Sequence, residues 1–176
     1  MLEFDSTPAR QARNRVRGQV FLLPGQWYFG TRGELVRTLL GSCVGITLWN
    51  PARNSGGMCH FLLPQRLRRA GDALDGRYGD EALELLVREI DKTGARPRDF
   101  EAQLYGGADT LPDEVQVKFA VGERNVEKAW SLLDKYGFQL GAVDVGGNEP
   151  RSVALDLING GVSLRRGAPH SGKASA

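Results

Sequence analysis

The spacing of apolar and polar positions reads mostly as strand. Val115, Val117, Phe119 and Val121 alternate with Gln116, Lys118 and Ala120, the two-residue period of a half-buried strand. Short apolar runs at 20–23, 44–49, 58–63, 101–105, 138–145, 153–158 and 162–165 read the same way. Two segments instead have helical periodicity. Over 80–93, Leu83, Leu86, Val87 and Ile90 fall on one stripe, and Gly94 follows as a stop. Over 125–136, Asn125 serves as N-cap, Val126, Ala129, Trp130 and Leu133 point inward, and Gly137 ends the helix.

Eight or so strands with two substantial helices predict an α+β fold. The expectation is a single domain of mixed or antiparallel sheet layers, covered by two main helices. Strand and helix alternate too irregularly for a doubly wound parallel sheet. Paired glycines at Gly56-Gly57, Gly106-Gly107, Gly146-Gly147 and Gly160-Gly161 punctuate the strands as turns or close backbone approaches. Residues 1–18 are polar and arginine-rich and read as a flexible arm, 19–166 as the domain, and 167–176 as a flexible tail.

Composition narrows the function classes. The chain has 176 residues with a net charge of +2, so no strong field favours nucleic acid or an anionic membrane. Arginines cluster at Arg10, Arg13, Arg15 and Arg17 and again at Arg66, Arg68 and Arg69, without interleaved aromatics. They read as a solvated arm and a solvated loop rather than a nucleic-acid surface. No apolar run approaches the roughly 20 residues that span a bilayer, and nothing at the N-terminus reads as a signal peptide. Two cysteines do not make a disulfide framework, so a cytoplasmic protein with reduced thiols is expected.

Histidine is scarce: there are two, and His170 falls in the tail, which leaves His60. Cys43 follows the small-residue turn Leu40-Gly41-Ser42, where freed backbone N–H groups can face a developing oxyanion. If 44–49 and 58–63 form a hairpin with Trp49 opposite Asn54, Cys43 stands directly opposite His60 and Cys59 turns to the other face. A slip of one residue sets Cys43 opposite Cys59 instead, which permits a disulfide or a partial metal site from Cys43, Cys59 and His60. Spacing alone leaves three readings open: a nucleophile–base pair, inert buried residues, or a metal or disulfide site.

The surrounding residues add a resemblance. Leu39-Leu40-Gly41-Ser42-Cys43-Val44-Gly45, followed by Gly56-Gly57-Met58-Cys59-His60-Phe61-Leu62-Leu63-Pro64, is similar to the central signature of the chemoreceptor glutamine deamidases, the CheD family. Pro24-Gly25, Tyr105-Gly106-Gly107-Ala108, Gly122-Glu123-Arg124-Asn125, and Asp144-Val145-Gly146-Gly147 with Arg151 extend it over roughly residues 20 to 165. The resemblance implies a toxin-like cysteine deamidase fold and conversion of receptor glutamines to glutamate without metal or cofactor. It maps the nucleophile onto Cys43, its histidine onto His60 and the third catalytic residue onto Thr38. Some members carry that threonine one residue earlier, where this chain has Arg37, and asparagine is expected where Cys59 stands. It further implies chemotaxis receptor cytoplasmic domains as substrate and a CheC-type phosphatase as partner, with no nucleic acid and no membrane insertion. The expected mechanism has Ser42 and Cys43 backbone N–H groups holding the oxyanion. Two alternatives are a docking module that regulates a phosphatase or receptor, and a receptor methylesterase.

Overall fold

The structure, a computed structural model, describes residues 15–16, 18–31, 33–109 and 120–167. Among these residues, ten strands form two five-stranded sheets. The outer sheet has the order β1-β2-β4-β9-β10, from β1 (Arg15–Val16), β2 (Gln19–Leu22), β4 (Leu35–Leu40), β9 (Arg151–Asp156) and β10 (Val162–Arg166). The central sheet has the order β3-β6-β5-β7-β8, from β3 (Trp27–Gly30), β6 (Ser55–Phe61), β5 (Val44–Asn50), β7 (Glu101–Gly106) and β8 (Gln139–Val145). Pairing is antiparallel apart from β2 with β4 and β7 with β8. Helices α1 (Gly79–Lys92) and α2 (Val121–Tyr136) cover the central sheet.

The layers follow from which residues each strand turns inward. Ile46, Leu48, Cys59, Phe61 and Leu104 leave one face of the central sheet and meet Leu83, Leu86 and Ile90 of α1 and Ala129, Leu132 and Leu133 of α2. Burying each of the large aliphatic side chains is worth about 1.5–3 kcal/mol. From the opposite face, Tyr28, Met58 and Tyr105 pack against Val20, Leu22, Val36, Leu40, Val153 and Leu155 of the outer sheet. The α+β layering matches the expectation, with both helices on one side.

The α1 stripe and its stop agree with the sequence reading: Gly94 takes a left-handed φ of 77°. Gly137, at φ 76°, closes α2 with its N–H on the Leu133 and Asp134 carbonyls. The start of α2 differs. The helix begins at Val121, so Asn125 is an interior residue and not its N-cap. Gly122 is no breaker there; it lets the helix lie against the Gly107 carbonyl, which a Cβ would approach within 2.5 Å. The longer helix buries Asn125, Ala129, Leu132 and Leu133, and Trp130, expected inside, is 41% exposed on the flank of that face.

Strands β3 and β4 are not among the strands that the apolar pattern predicts. Of the strand expected over 115–121, positions 115–119 lie outside the described residues and Val121 opens α2. The expected arm lies outside them at 1–14 and 17, while Arg15–Val16 pair with β2. Most of the expected tail, 168–176, also lies outside. Among the described residues, no helix is long and apolar enough to cross a membrane.

Candidate active site

Cys43 ends the turn by which the chain passes from β4 in the outer sheet to β5 in the central sheet. Three consecutive carbonyls of this turn are tied down. Gly41 O accepts from Ala108 N at 2.9 Å, Ser42 O from Asn125 Nδ2 at 3.1 Å, and Cys43 O from Gly107 N at 2.8 Å. In a planar trans peptide the N–H points opposite to its carbonyl. The N–H groups of Ser42 and Cys43 are therefore turned away from the residues that bind Gly41 O and Ser42 O. Cys43 is partly buried and packs against the cluster between the two sheets.

His60 lies on β6 and is only 2% exposed. Its Nδ1 is 2.7 Å from Thr38 Oγ1, and Thr38 Oγ1 donates to the Leu22 carbonyl at 2.8 Å. A hydroxyl has one proton. Thr38 commits its proton to Leu22, a carbonyl that only accepts, so toward His60 the oxygen is the acceptor. The imidazole proton accordingly sits on Nδ1, and Nε2 carries the lone pair. Nε2 is buried and has no hydrogen-bond partner among the described residues. Alternation along β4 turns Thr38 inward and Arg37 out to solvent, so the threonine and not the arginine meets the histidine.

The hairpin register differs from the expected one. Asn50 pairs with Ser55 and Gly45 with His60, so Cys43 is not directly opposite His60 but one diagonal step away. The loop slid by one residue because Asn50 ends β5 while its Oδ1 accepts from the Ala52 N–H at 3.1 Å, and Asn54 takes a left-handed φ of 47°. A slide of this kind moves pairing by two positions and preserves the face. Cys43 and His60 thus share the inter-sheet face, where diagonal neighbours lie roughly 7–8 Å apart. The position directly across from His60 is Gly45, so no side chain stands there. Cys43 and His60 make no hydrogen bond to each other.

Cys59 points into the opposite cluster, under the helices. The one-residue slip that would pair it with Cys43 does not occur, both thiols are free, and the three candidate ligands Cys43, Cys59 and His60 do not converge. Burial pushes the Cys59 thiol up to about 12. Burial also raises the Cys43 thiol, with a smaller opposing effect from its own backbone N–H. The His60 imidazole is lowered to about 4 by burial. The resting pair is a thiol and a neutral imidazole, not a preformed thiolate–imidazolium pair.

Residues far apart in the sequence converge to hold these two strands. Gly25 N donates to His60 O at 2.7 Å, and His60 N donates to Gln26 O at 3.1 Å, fixing the backbone of the histidine. Gly106, at φ 102°, brings β7 so close that a Cβ would lie 2.3 Å from Cys43 O. Arg151, 5% exposed, binds Asp144 Oδ1 at 2.7 Å and Gly146 O at 2.8 Å, and Gly146 N donates to Gly106 O at 3.0 Å. Gly106 is the close backbone approach that its glycine pair allows, whereas Asn125, expected as a cap, is a buried donor to two carbonyls. The signal that could have separated these two roles of Asn125 was a polar residue in register with an apolar helical stripe, since Asn125 lies one turn before Ala129.

The family described as "CheD chemotactic sensory transduction" matches residues 62–166. A Chromobacterium violaceum protein named "Probable chemoreceptor glutamine deamidase CheD 1" is 46% identical over 160 residues, covering 86% of this chain and 83% of that protein. A Pseudomonas fluorescens protein named "Probable chemoreceptor glutamine deamidase CheD" is 46% identical over 149 residues, covering 84% of each chain. Among solved structures, the Bacillus licheniformis hypothetical protein YfiH is similar over 66% of this chain and 49% of its own, at 16% identity and a TM-score of 0.42, a likeness too partial to argue from.

Proposed function

The chain belongs to the CheD family, and from that premise we propose that it is a protein-glutamine deamidase that converts glutamines of chemotaxis receptors to glutamate, working through Cys43, His60 and Thr38. The observation that carries the residue assignment is the Thr38–His60 hydrogen bond, which leaves Nε2 unprotonated and unpartnered on the face that Cys43 shares.

His60 Nε2 takes the Cys43 thiol proton, and the sulfur attacks the side-chain carbonyl of the substrate glutamine. The lowered imidazole keeps the base in its proton-accepting form throughout the neutral range. Negative charge develops on the carbonyl oxygen, where the N–H groups of Ser42 and Cys43 receive it. The imidazolium returns its proton to the nitrogen, which leaves as ammonia, and the acyl group remains on sulfur as a thioester. Water, deprotonated by the same Nε2, hydrolyses the thioester to glutamate and the free thiol. Thr38 holds the tautomer through both halves of the reaction, as the third member of a triad does.

The substrate is the cytoplasmic part of a receptor, and the place of action is the cytoplasm, where Cys43 stays reduced. A CheC-type phosphatase is a further partner in this reading. Each turnover adds a negative charge to a receptor surface, a local electrostatic change of the kind that shifts signalling equilibria.

The test is mass spectrometry of tryptic peptides from a receptor cytoplasmic fragment after incubation with wild type or with Cys43→Ser. Glutamine-to-glutamate shifts with the wild type alone are the expected result. Binding of the fragment without any shift would overturn the assignment in favour of a docking role.

A further inference from the structure

Asn125 is fully buried in the second turn of α2, yet its side chain does nothing for the helix. Its Nδ2 donates to Leu62 O at 2.8 Å and to Ser42 O at 3.1 Å. Ser42 immediately precedes the candidate nucleophile, and Leu62 is two residues beyond His60. Its Oδ1 is buried and accepts no hydrogen bond from any of the described residues. Asparagine is a poorer helix-interior residue than alanine, and an unpaired buried carbonyl adds a desolvation cost. A residue kept for helix stability alone would not leave its acceptor empty. Both donor protons instead join two segments that no ladder pairs directly at that point, since the β5–β6 pairing runs only from Asn50–Ser55 to Val44–Phe61.

We propose that Asn125 is a positioning residue: its amide clamps the turn that carries Cys43 to the end of the strand that carries His60, and so sets the approach of the thiol to Nε2. The role rests on the deamidase reading above but is separable from it. The clamp fixes the Ser42–Cys43 peptide, because the carbonyl it holds belongs to the same planar unit as the Cys43 N–H. One side chain therefore sets both the nucleophile's approach and the direction of an oxyanion donor. Gly107 and Gly122 let α2 come near enough for this; a Cβ on Gly107 would lie 2.4 Å from Val126 Cγ2, and one on Gly122 would lie 2.5 Å from Gly107 O.

Asn125→Asp keeps the shape but turns the donor into an acceptor facing two carbonyls, and Asn125→Ala removes the clamp without adding charge. Expected for either folded variant is a kcat lower by about 10- to 100-fold, with KM within about twofold, because misplacing reacting groups costs rate and not binding. Alkylation of Cys43 by iodoacetamide, which needs no substrate, should speed up toward the rate of the unfolded chain. A lower melting temperature with unchanged kcat and alkylation would mean a merely structural residue and would overturn the proposal. If the wild type itself deamidated nothing, the functional reading would fail, while alkylation would still decide the clamp. If neither variant folded, the wild-type Nδ2 protons decide by NMR. Slow exchange and a shift on alkylation of Cys43 support the clamp, and fast exchange overturns it.

Discussion

Thr38 and His60 belong to different sheets, and the 2.7 Å hydrogen bond between them is where the two layers meet at the candidate site. The bond has a direction, because Leu22 O takes the only proton Thr38 can give. It follows that Thr38→Val, similar in size but without the oxygen, frees the imidazole to adopt the tautomer with the proton on Nε2. In that form His60 cannot accept from Cys43. The expected outcome is a kcat reduced about 10- to 100-fold with little change in KM, while Thr38→Ser retains most of the activity. Ammonia release from a receptor fragment measures both. Equal activity of the valine variant would sink the tautomer argument.

What could be read from the chain divides along the same lines as its physics. Helix α1 is legible because Leu83, Leu86 and Ile90 form an apolar stripe and Gly94 stops the helix. Strand β4 is not, because its inward positions are Val36, Thr38 and Leu40 while Leu39 faces out, 43% exposed. A hydroxyl at a core position and a leucine at a solvent position blur the two-residue period. Strand β3 was missed for the opposite reason: Trp27, Tyr28 and Phe29 are all buried and have no alternation to detect. The Cys43–His60 face was legible from parity, but their diagonal offset depended on the Asn50 turn. Asn125 was misread because a buried polar residue inside a helix imitates a cap until its tertiary partners are known.

His60 also makes stability depend on pH. Its folded value is lowered to about 4 from an ordinary 6.5, so between those values the unfolded chain binds the additional proton. Stability from this group is complete above pH 6.5 and is lost as pH falls toward 4, a shift worth roughly 3 kcal/mol at most. Urea unfolding at pH 7.5 and pH 4.5 should therefore cost the wild type roughly 2 kcal/mol more than His60→Gln, whose carboxylates titrate alike. Parallel losses in the two proteins would mean that His60 is not the group responsible.

The two thiols are predicted to differ in reactivity. Cys59 is completely buried, with its thiol held at about 12, whereas Cys43 is partly exposed at a turn. Reaction depends on thiolate and access together. A thiol reagent should label one cysteine in the native protein, identified as Cys43 by peptide mapping, and both after denaturation. Labelling should accelerate with pH through and above 9, since burial raises the Cys43 thiol from that ordinary value. Native labelling of Cys59 at a comparable rate would contradict the burial of β6 under the helices.

Glu81 carries the last prediction. The basic loop after β6 was expected to be solvated, yet Glu81 on α1, 1% exposed, accepts from Arg66 Nε and Nη2 at 2.9 Å each and from the Asp75 N–H at 3.1 Å. One buried carboxylate thereby folds residues 66–75 onto the start of the helix, and Leu62 N and Leu63 N, just past His60, are held by Arg77 O at the far end of the same loop. Glu81→Gln keeps the shape but removes the charge that pairs with Arg66. Because Arg66 remains 24% exposed and can return to water, the expected loss is about 2–3 kcal/mol and not the larger cost of stranding a fully buried ion. Trypsin should then cut after Arg66, Arg68 or Arg69 faster in the native variant than in the native wild type, because local opening of the loop becomes easier. Unfolding stability within about 0.5 kcal/mol of wild type, the range of an ordinary surface substitution, together with unchanged cleavage, would show that the loop is held by its backbone contacts and not by the carboxylate.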